Sequence, residues 1–328
     1  MNPSVTALAH PNIALIKYWG NLNHKLRLPS NGSISMNLAA LETISIVTLL
    51  PELRADEFIL NSVLQSGDAL LRVRDFLDII RLESGVNGYA QIVSSNNFPA
   101  SAGLASSASA FAALALAGSA AYGLKYSEKQ LSCLARRGSG SAARSIPDGF
   151  VEWISASKDE ESFAFSIARS DHWELWDCVA LVNQASKQTG STEGHLLADT
   201  SPLQHARVSD APRRLDLCRS ALVQKDFAAL AKLIELDSHM LHSVMLTSQP
   251  SLMYWEPTSV TVMKEVINWR QQGIEAAFTL DAGPNVHVIC TAAHAQTVIH
   301  NLKEIPGILG VLSSPVGEGA RIIDCKNF

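Results

Sequence analysis

No block of basic residues occurs anywhere in this chain. Lys and Arg number 26 against 31 Asp and Glu, a formal net charge of −5. A nucleic-acid surface is therefore not expected, although a few placed cations suffice for an anionic small molecule. No apolar run is long enough to span a bilayer; the stretch near Leu104 to Leu116 is short and broken by serines. The start, MNPSVTALAH, lacks a basic region and a long apolar core, so no signal peptide is expected. The five cysteines (Cys133, Cys178, Cys218, Cys290 and Cys325) are scattered, odd in number and without metal-ligand spacing. That speaks against a disulfide framework and suits a reducing cytoplasm. The sequon Asn31-Gly32-Ser33 then carries no meaning. Internal repeats and low-complexity linkers are absent too. Only 17% of residues are charged and 47% are hydrophobic, the composition of a well-buried globular protein.

What is present centres on Ser95 to Gly118, SNNFPASAGLASSASAFAALALAG. A polar strand end passes through small residues into an alanine-rich helix. The turn holds Pro99, Ala100, Ser101, Ala102 and Gly103, followed by Leu104, Ala105 and the hydroxyls Ser106 and Ser107. Backbone N–H groups at a helix start have no intrahelical partner, and the dipole adds partial positive charge. A phosphate can approach such a loop closely. No Gly-Lys-Ser/Thr closes it, so it is not a Walker loop. Asn96 and Asn97 can cap the turn or bind a ligand. The alternative is that small residues simply let the helix pack tightly on a sheet.

At 328 residues the chain is expected to form two lobes or one large unit. Strands are expected over Ser4 to Tyr18 with a turn at Pro11-Asn12, and over Ser35–Leu38, Ile44–Leu49, Tyr89–Ser94, Phe150–Ile154, Phe163–Ala168 and Cys178–Val182. Helical periodicity marks Ser66–Arg81, and Ser127 with Gln130 forms a capping-box pattern. Ala211–Leu222, Phe227–Leu246 and Val260–Gln271 read as helices. The strands Ala276–Leu280, Val286–Cys290 and Ile308–Leu312 and the helix Ala293–Leu302 follow. Without strict βα alternation, the pattern fits an α+β fold. The lobes are expected at 1–185, holding nucleotide and phosphate, and 186–328, mainly helical with a small sheet.

Three ionisable residues stand out. Asp281 ends an apolar strand and meets Ala-Gly-Pro-Asn; it is either a partly buried carboxylate needing a cation or a turn cap. Lys17 lies inside ALIKYWG, where it wants a carboxylate or phosphate, or else marks an exposed sheet edge. Arg144 follows a Gly/Ser loop and either binds a carboxylate bidentately or is a solvated surface group. His239 and His242 have helical spacing without a carboxylate pattern and read as ordinary helix residues.

The segments HPNIALIKYWG, NNFPASAGLASSASA, GSGSAARS, QTGSTEG and TLDAGPN occur in this order. Together they resemble the signature segments of the diphosphomevalonate decarboxylases, in the GHMP small-molecule kinase superfamily. The similarity runs through nearly the whole chain. It implies a two-lobed GHMP-kinase-like fold of mixed and antiparallel sheets and helices, with the active site in the cleft. It also implies a lyase of isoprenoid biosynthesis and the mevalonate pathway, using ATP and Mg2+, and a cytoplasmic homodimer. By motif match, Asp281 positions or deprotonates the substrate 3-hydroxyl, Lys17 neutralises charge beside it, and Arg144 holds the carboxylate. Ser139 and Ser141 line that pocket, with Asn12 and Tyr18 in support and Asn21 among the substrate contacts. Ser95, Asn97, Ala102, Gly103, Leu104, Ala105, Ser106 and Ser107 form the nucleotide set, and Ser107 is the Mg2+ candidate.

The chain departs from the family after KYWG, where Asn21, Leu22 and Asn23 replace Lys-Arg-Asp. In the family those basic residues serve the substrate's terminal diphosphate. Each lost charge-assisted contact costs about 1.5–3 kcal/mol. The loop thus resembles phosphomevalonate decarboxylases and favours mevalonate 5-phosphate, giving isopentenyl phosphate, over mevalonate 5-diphosphate. His24, Lys25 or Arg27 could restore the charge. Gly32 replaces a serine common in the family, and His195 stands where a Met is frequent. The competing readings are a superfamily kinase, a decarboxylase of an already phosphorylated substrate, and a non-catalytic nucleotide binder.

Overall fold

The computed structural model describes residues 4–98, 106–183 and 190–324. The strands run β1 (Ser4–Ala9), β2 (Asn12–Ile16), β3 (Asn21–Asn23), β4 (Leu28–Pro29), β5 (Ser33–Asn37), β6 (Thr43–Leu49), β7 (Glu57–Leu60) and β8 (Val63–Leu64). They continue as β9 (Ala90–Asn96), β10 (Phe150–Trp153), β11 (Ala164–Ala168), β12 (Leu175–Leu181), β13 (Ala276–Thr279), β14 (Val286–Thr291), β15 (Gly310–Pro315) and β16 (Arg321–Ile323). The α-helices are α1 (Gly67–Ser84), α2 (Ser106–Ala121), α3 (Glu128–Gly138), α4 (Ser191–Leu197), α5 (Gln204–Gln224), α6 (Phe227–Thr247), α7 (Pro257–Gln271) and α8 (Ala295–Glu304).

Among the described residues the first sheet has the order β16-β1-β6-β9-β7-β8. Burial in β6 and β9 alternates along the strand, as a sheet with one covered face requires. The cover is α1, α2 and α3, whose Phe76, Leu77, Ile80, Phe111, Leu114, Leu131 and Leu134 share one core with Val47 and Ile92. α2 is buried along most of its length, which explains its alanines: the helix touches neighbours on nearly every side and has no room for long side chains. The α3 capping box is present as expected, Ser127 and Gln130 each bonding the other's backbone.

The second sheet, β11-β10-β5-β2, and the third, β13-β14-β12-β15, are both antiparallel. One core joins them through α5 and α6, with Ile13, Ile34, Met36, Phe150, Val179, Leu222, Leu230, Ile234 and Ile289 in contact. The other face of the third sheet packs on α7 and α8 through Val262, Val266, Trp269, Val298 and Leu302. The mixed sheets and helices form the expected α+β fold. Among the described residues no helix is long and apolar enough to cross a membrane.

Several elements differ from expectation for physical reasons. β2 stops at Ile16 instead of running to Tyr18, after a bulge between Ala14 and Ile16. The β7–β8 hairpin turns at Asn61 and Ser62, both at positive φ (49° and 66°); Ser in the second place hides the usual Asn-Gly signal. α5 starts at Gln204, ahead of Ala211, and carries Pro212 inside it. β12 begins at Leu175, ahead of Cys178, and pairs with β14 and β15. β16, near the end of the chain, pairs with β1.

Candidate active site

A cavity of about 430 Å³ opens where the ends of β2 and β13, the start of α2 and the Gly140–Ser145 helical turn meet. Asn12, Lys17, Tyr18, Ser106, Ser107, Ser139, Ser141, Arg144 and Asp281 all line it. All five ordered motifs thus converge on one space, the QTGSTEG segment through Gly190, Ser191 and Thr192. Lys17 Nζ donates to Asp281 Oδ1 at 2.7 Å. The lysine is 1% exposed, while the Asp281 side chain is 32% exposed toward the cavity. A buried ammonium against a partly open carboxylate leaves the carboxylate an edge for a ligand.

Arg144 is buried, and its Nη1 donates to Ser33 Oγ at 2.6 Å while Nε reaches Asn12 Oδ1 at 3.3 Å. Both acceptors are neutral, and among the described residues no carboxylate lies within ion-pair distance. Burial pulls its pKa down to about 10, against the opposing pull of Asp281 and Tyr18. A buried guanidinium with neutral neighbours and an open cavity beside it is suited to an incoming carboxylate or phosphate. Asn12 is itself fixed by donating to the Ser141 carbonyl (3.0 Å) and Ser145 Oγ (2.8 Å).

Tyr18 also lines the cavity. Its ring stacks on His195 with centroids 4.2 Å apart and meets Trp153 edge-on at 4.7 Å. A Cβ at Gly140 would lie 2.6 Å from that ring, so glycine there permits the close approach. Burial raises the Tyr18 hydroxyl to about 12, with Arg27 pulling the other way. His195 Nδ1 accepts the Gly20 N–H at 3.0 Å. Burial, helped by Arg27 and Arg207, depresses the imidazole to about 3 and keeps it neutral. Gly32 also has a reason: a Cβ would sit 2.8 Å from Leu215 Cδ1.

Ser107 Oγ and Ser139 Oγ are 3.1 Å apart, and Ser139 Oγ is 3.3 Å from Ser141 Oγ. This hydroxyl row joins the helix start to the cavity floor. Mg2+ keeps several waters and takes substrate phosphates with few protein ligands. Ser107 at the mouth of α2 fits such a role, and among the described residues no cluster of His, Cys, Asp or Glu forms a metal site. Ala102, Gly103, Leu104 and Ala105 lie outside the described residues. Ser95 and Asn97 are not brought to the cavity: Ser95 sits in β9 opposite Ile44, and Asn97 bridges to Glu42 N–H and the Ala40 carbonyl. Asn21 is not among the residues lining it; its Oδ1 accepts the Tyr18 hydroxyl.

Two cations outside the expected site set belong to the wall, Arg27, which the sequence offered with His24 and Lys25 as a group able to restore charge, and Arg72, which it did not single out. Arg27 and Arg72 both line the cavity. Arg27 sits at φ +51° and donates Nε to the Arg137 carbonyl at 3.1 Å. Arg72 donates to the Gly138 carbonyl and lies over the Phe111 ring. Burial and the nearby Arg27 charge lower the Arg72 pKa. Among the described residues neither guanidinium has a carboxylate partner. Arg27 carried a signal, its closeness to the neutral Asn21-Leu22-Asn23 loop; Arg72 carried none.

The sequence model of the Diphosphomevalonate decarboxylase-like N-terminal domain matches residues 9–164, and that of the Mevalonate 5-diphosphate decarboxylase C-terminal domain matches 178–310. A diphosphomevalonate decarboxylase of Candida albicans is 36% identical over 98% of this chain and 95% of its own length. The human diphosphomevalonate decarboxylase is 35% identical over 86% of this chain and 75% of its own. The crystal structure of mevalonate diphosphate decarboxylase from Staphylococcus aureus superposes with a TM-score of 0.93 at 38% identity, covering 99% of both chains. That of the Enterococcus faecalis enzyme gives 0.92 at 37%, covering 99% of this chain and 100% of its own. The chain belongs to the diphosphomevalonate decarboxylase family, ATP-dependent carboxy-lyases of the GHMP kinase superfamily.

Proposed function

We propose that this protein decarboxylates mevalonate 5-diphosphate at the expense of ATP, phosphorylating the 3-hydroxyl and then releasing phosphate and CO2 to give isopentenyl diphosphate. The observation that carries the choice of diphosphate is the pair Arg27 and Arg72 on the cavity wall without carboxylate partners. The neutral Asn21-Leu22-Asn23 loop argued for the monophosphate. Arg27 and Arg72 supply two positive charges in the cavity lining, which offsets that loss. Relatives named for the diphosphate support the same reading.

Within it, Asp281 accepts or orients the 3-hydroxyl proton, and Lys17, bonded to that carboxylate, faces the transferring phosphoryl group. Arg144 grips the substrate carboxylate, with Ser139 and Ser141 beside it. Ser106 and Ser107 hold the nucleotide phosphates, and Ser107 offers a hydroxyl to Mg2+; an MDDEF structure solved with MVAPP, AMPPCP and magnesium has a TM-score of 0.92 to this chain. When bound, ATP supplies the phosphoryl group that turns a poor leaving hydroxyl into a good one. We further read the enzyme as a cytoplasmic homodimer, and we set the change of lobe between β11 and β12.

A second reading keeps mevalonate 5-phosphate as the substrate, because Asn21 is turned to Tyr18 and brings no charge. ATP-dependent CO2 release with both substrates at matched concentrations tests the two. Higher kcat/KM for the diphosphate supports the proposal. Preference for the monophosphate overturns it, and ADP without CO2 would indicate a kinase.

A further inference from the structure

Neither Lys17 nor Asp281 lies within a strand. β2 ends at Ile16 and β13 at Thr279, so each backbone leaves its ladder just before the side chains that meet. β2 belongs to the second sheet and β13 to the third; among the described residues these two strands do not pair, and the bridge between the sheets is Leu38 with Val316, just past the ends of β5 and β15. Sheet geometry alone therefore does not set the distance between Lys17 and Asp281.

α6 contacts both strands, and two consecutive residues on it reach the two peptides. Asp237 Oδ2 accepts the Lys17 N–H at 2.7 Å. Ser238 Oγ accepts the N–H of Leu280, the neighbour of Asp281, at 3.0 Å. The Lys17 carbonyl is held as well, by Arg207 Nη2 at 2.7 Å and Asn31 Nδ2 at 2.9 Å. Asp237 Oδ1 takes Arg214 Nε at 2.8 Å, and Arg214 Nη2 donates to the Arg207 carbonyl at 3.0 Å. The circuit closes on itself in a dry interior: Asp237 and Arg214 are 0% exposed, Arg207 and Ser238 1%. Charged groups buried this deeply add little net stability over apolar side chains of the same volume. What they do provide is fixed geometry, because the Lys17 N–H and carbonyl and both Asp237 oxygens are each tied to a buried partner.

We propose that α6 sets the spacing of the Lys17–Asp281 pair, with Asp237 and Ser238 as positioning residues acting through the Lys17 and Leu280 peptides. The proposal rests on the reading that this pair works on the substrate hydroxyl. Misplacement of a reacting group by about 1 Å costs roughly 100-fold in rate, while substrate contacts elsewhere in the cavity are untouched.

Ser238→Ala is the first test, because it removes one acceptor without stranding a buried charge. The expected result is a kcat lowered by at least about tenfold, with KM for both substrates within about twofold of wild type. Ser238→Thr, which keeps the hydroxyl, recovers most of the rate. Ser238→Cys keeps the volume and weakens the acceptor, and gives the same split should Ser238→Ala not fold. An unchanged kcat, or a loss of kcat matched by equal weakening of nucleotide-analogue binding and no recovery by threonine, overturns the proposal. Wild-type protein that releases no CO2 from either mevalonate phosphate overturns the proposed function instead.

Discussion

Lys17 and Asp281 stand 264 positions apart in the chain, yet their charged ends meet at 2.7 Å in the lining of the cavity. The pairing is lopsided: Lys17 is enclosed and Asp281 half open. Asp281 is thus the member that can touch a ligand. Asp281→Asn is expected to lower the rate of product formation by at least about 10²–10⁴-fold while nucleotide binding persists. Turnover and binding of an ATP analogue, measured on the same preparation, check this; near-normal turnover removes Asp281 from the chemistry.

Arg144 is held by neutral acceptors only. Burying a guanidinium without a carboxylate costs stability, so its presence points to a ligand. Arg144→Met is expected to leave the thermal midpoint unchanged or raise it by about a few degrees, while kcat/KM falls by roughly 100-fold or more. Calorimetric melting beside steady-state kinetics tests the pair of effects. A large drop in the midpoint would make Arg144 a structural residue.

The parts legible in the sequence were those whose chemistry is local. Asp281 after an apolar strand, Lys17 inside another and Arg144 after a Gly/Ser loop each broke a pattern, and all three line the cavity. The α3 capping box was likewise written in four residues. What stayed hidden depends on the path of the chain. Arg72 is an exposed-face residue of an ordinary amphipathic helix until α1 is set beside the Gly138 carbonyl. Asp237 meets Lys17 across 220 positions, and no spacing rule encodes such a contact. Asn97, which the sequence offered either as a turn cap or as a ligand contact, ties the end of β9 to the turn before β6 through both amide atoms.

Arg27 should govern the preference between the two mevalonate phosphates. Its φ of +51° is uncommon for a residue with a side chain, and it puts the guanidinium on the cavity wall. Arg27→Gln is expected to raise KM for the diphosphate by about tenfold or more, from loss of about 1.5–3 kcal/mol, and to raise KM for the monophosphate less. Equal effects on both substrates would mean that Arg27 meets only the phosphate they share. No effect on either would leave Arg72 as the sole cation at that end.

His242 gives the fold a pH dependence separate from the chemistry. It is 1% exposed, and burial with the Lys17 charge depresses it to about 4, against the raising pull of Asp281 and the Leu280 backbone. An unfolded-chain histidine titrates near 6.5. Between those values the unfolded state binds the proton and the folded state does not, so acid favours unfolding. The stability of the neutral ring is complete above about pH 6.5 and falls by at most about 1.4 kcal/mol per pH unit as pH drops toward about 4. Urea unfolding at pH 7 and pH 5 should show this loss, and His242→Gln should reduce it. His195 adds a slope of the same sign, since it too is held neutral, down to about 3. The histidine variant must therefore flatten the dependence without abolishing it; an identical slope in wild type and His242→Gln would mean that His242 is protonated in the folded protein.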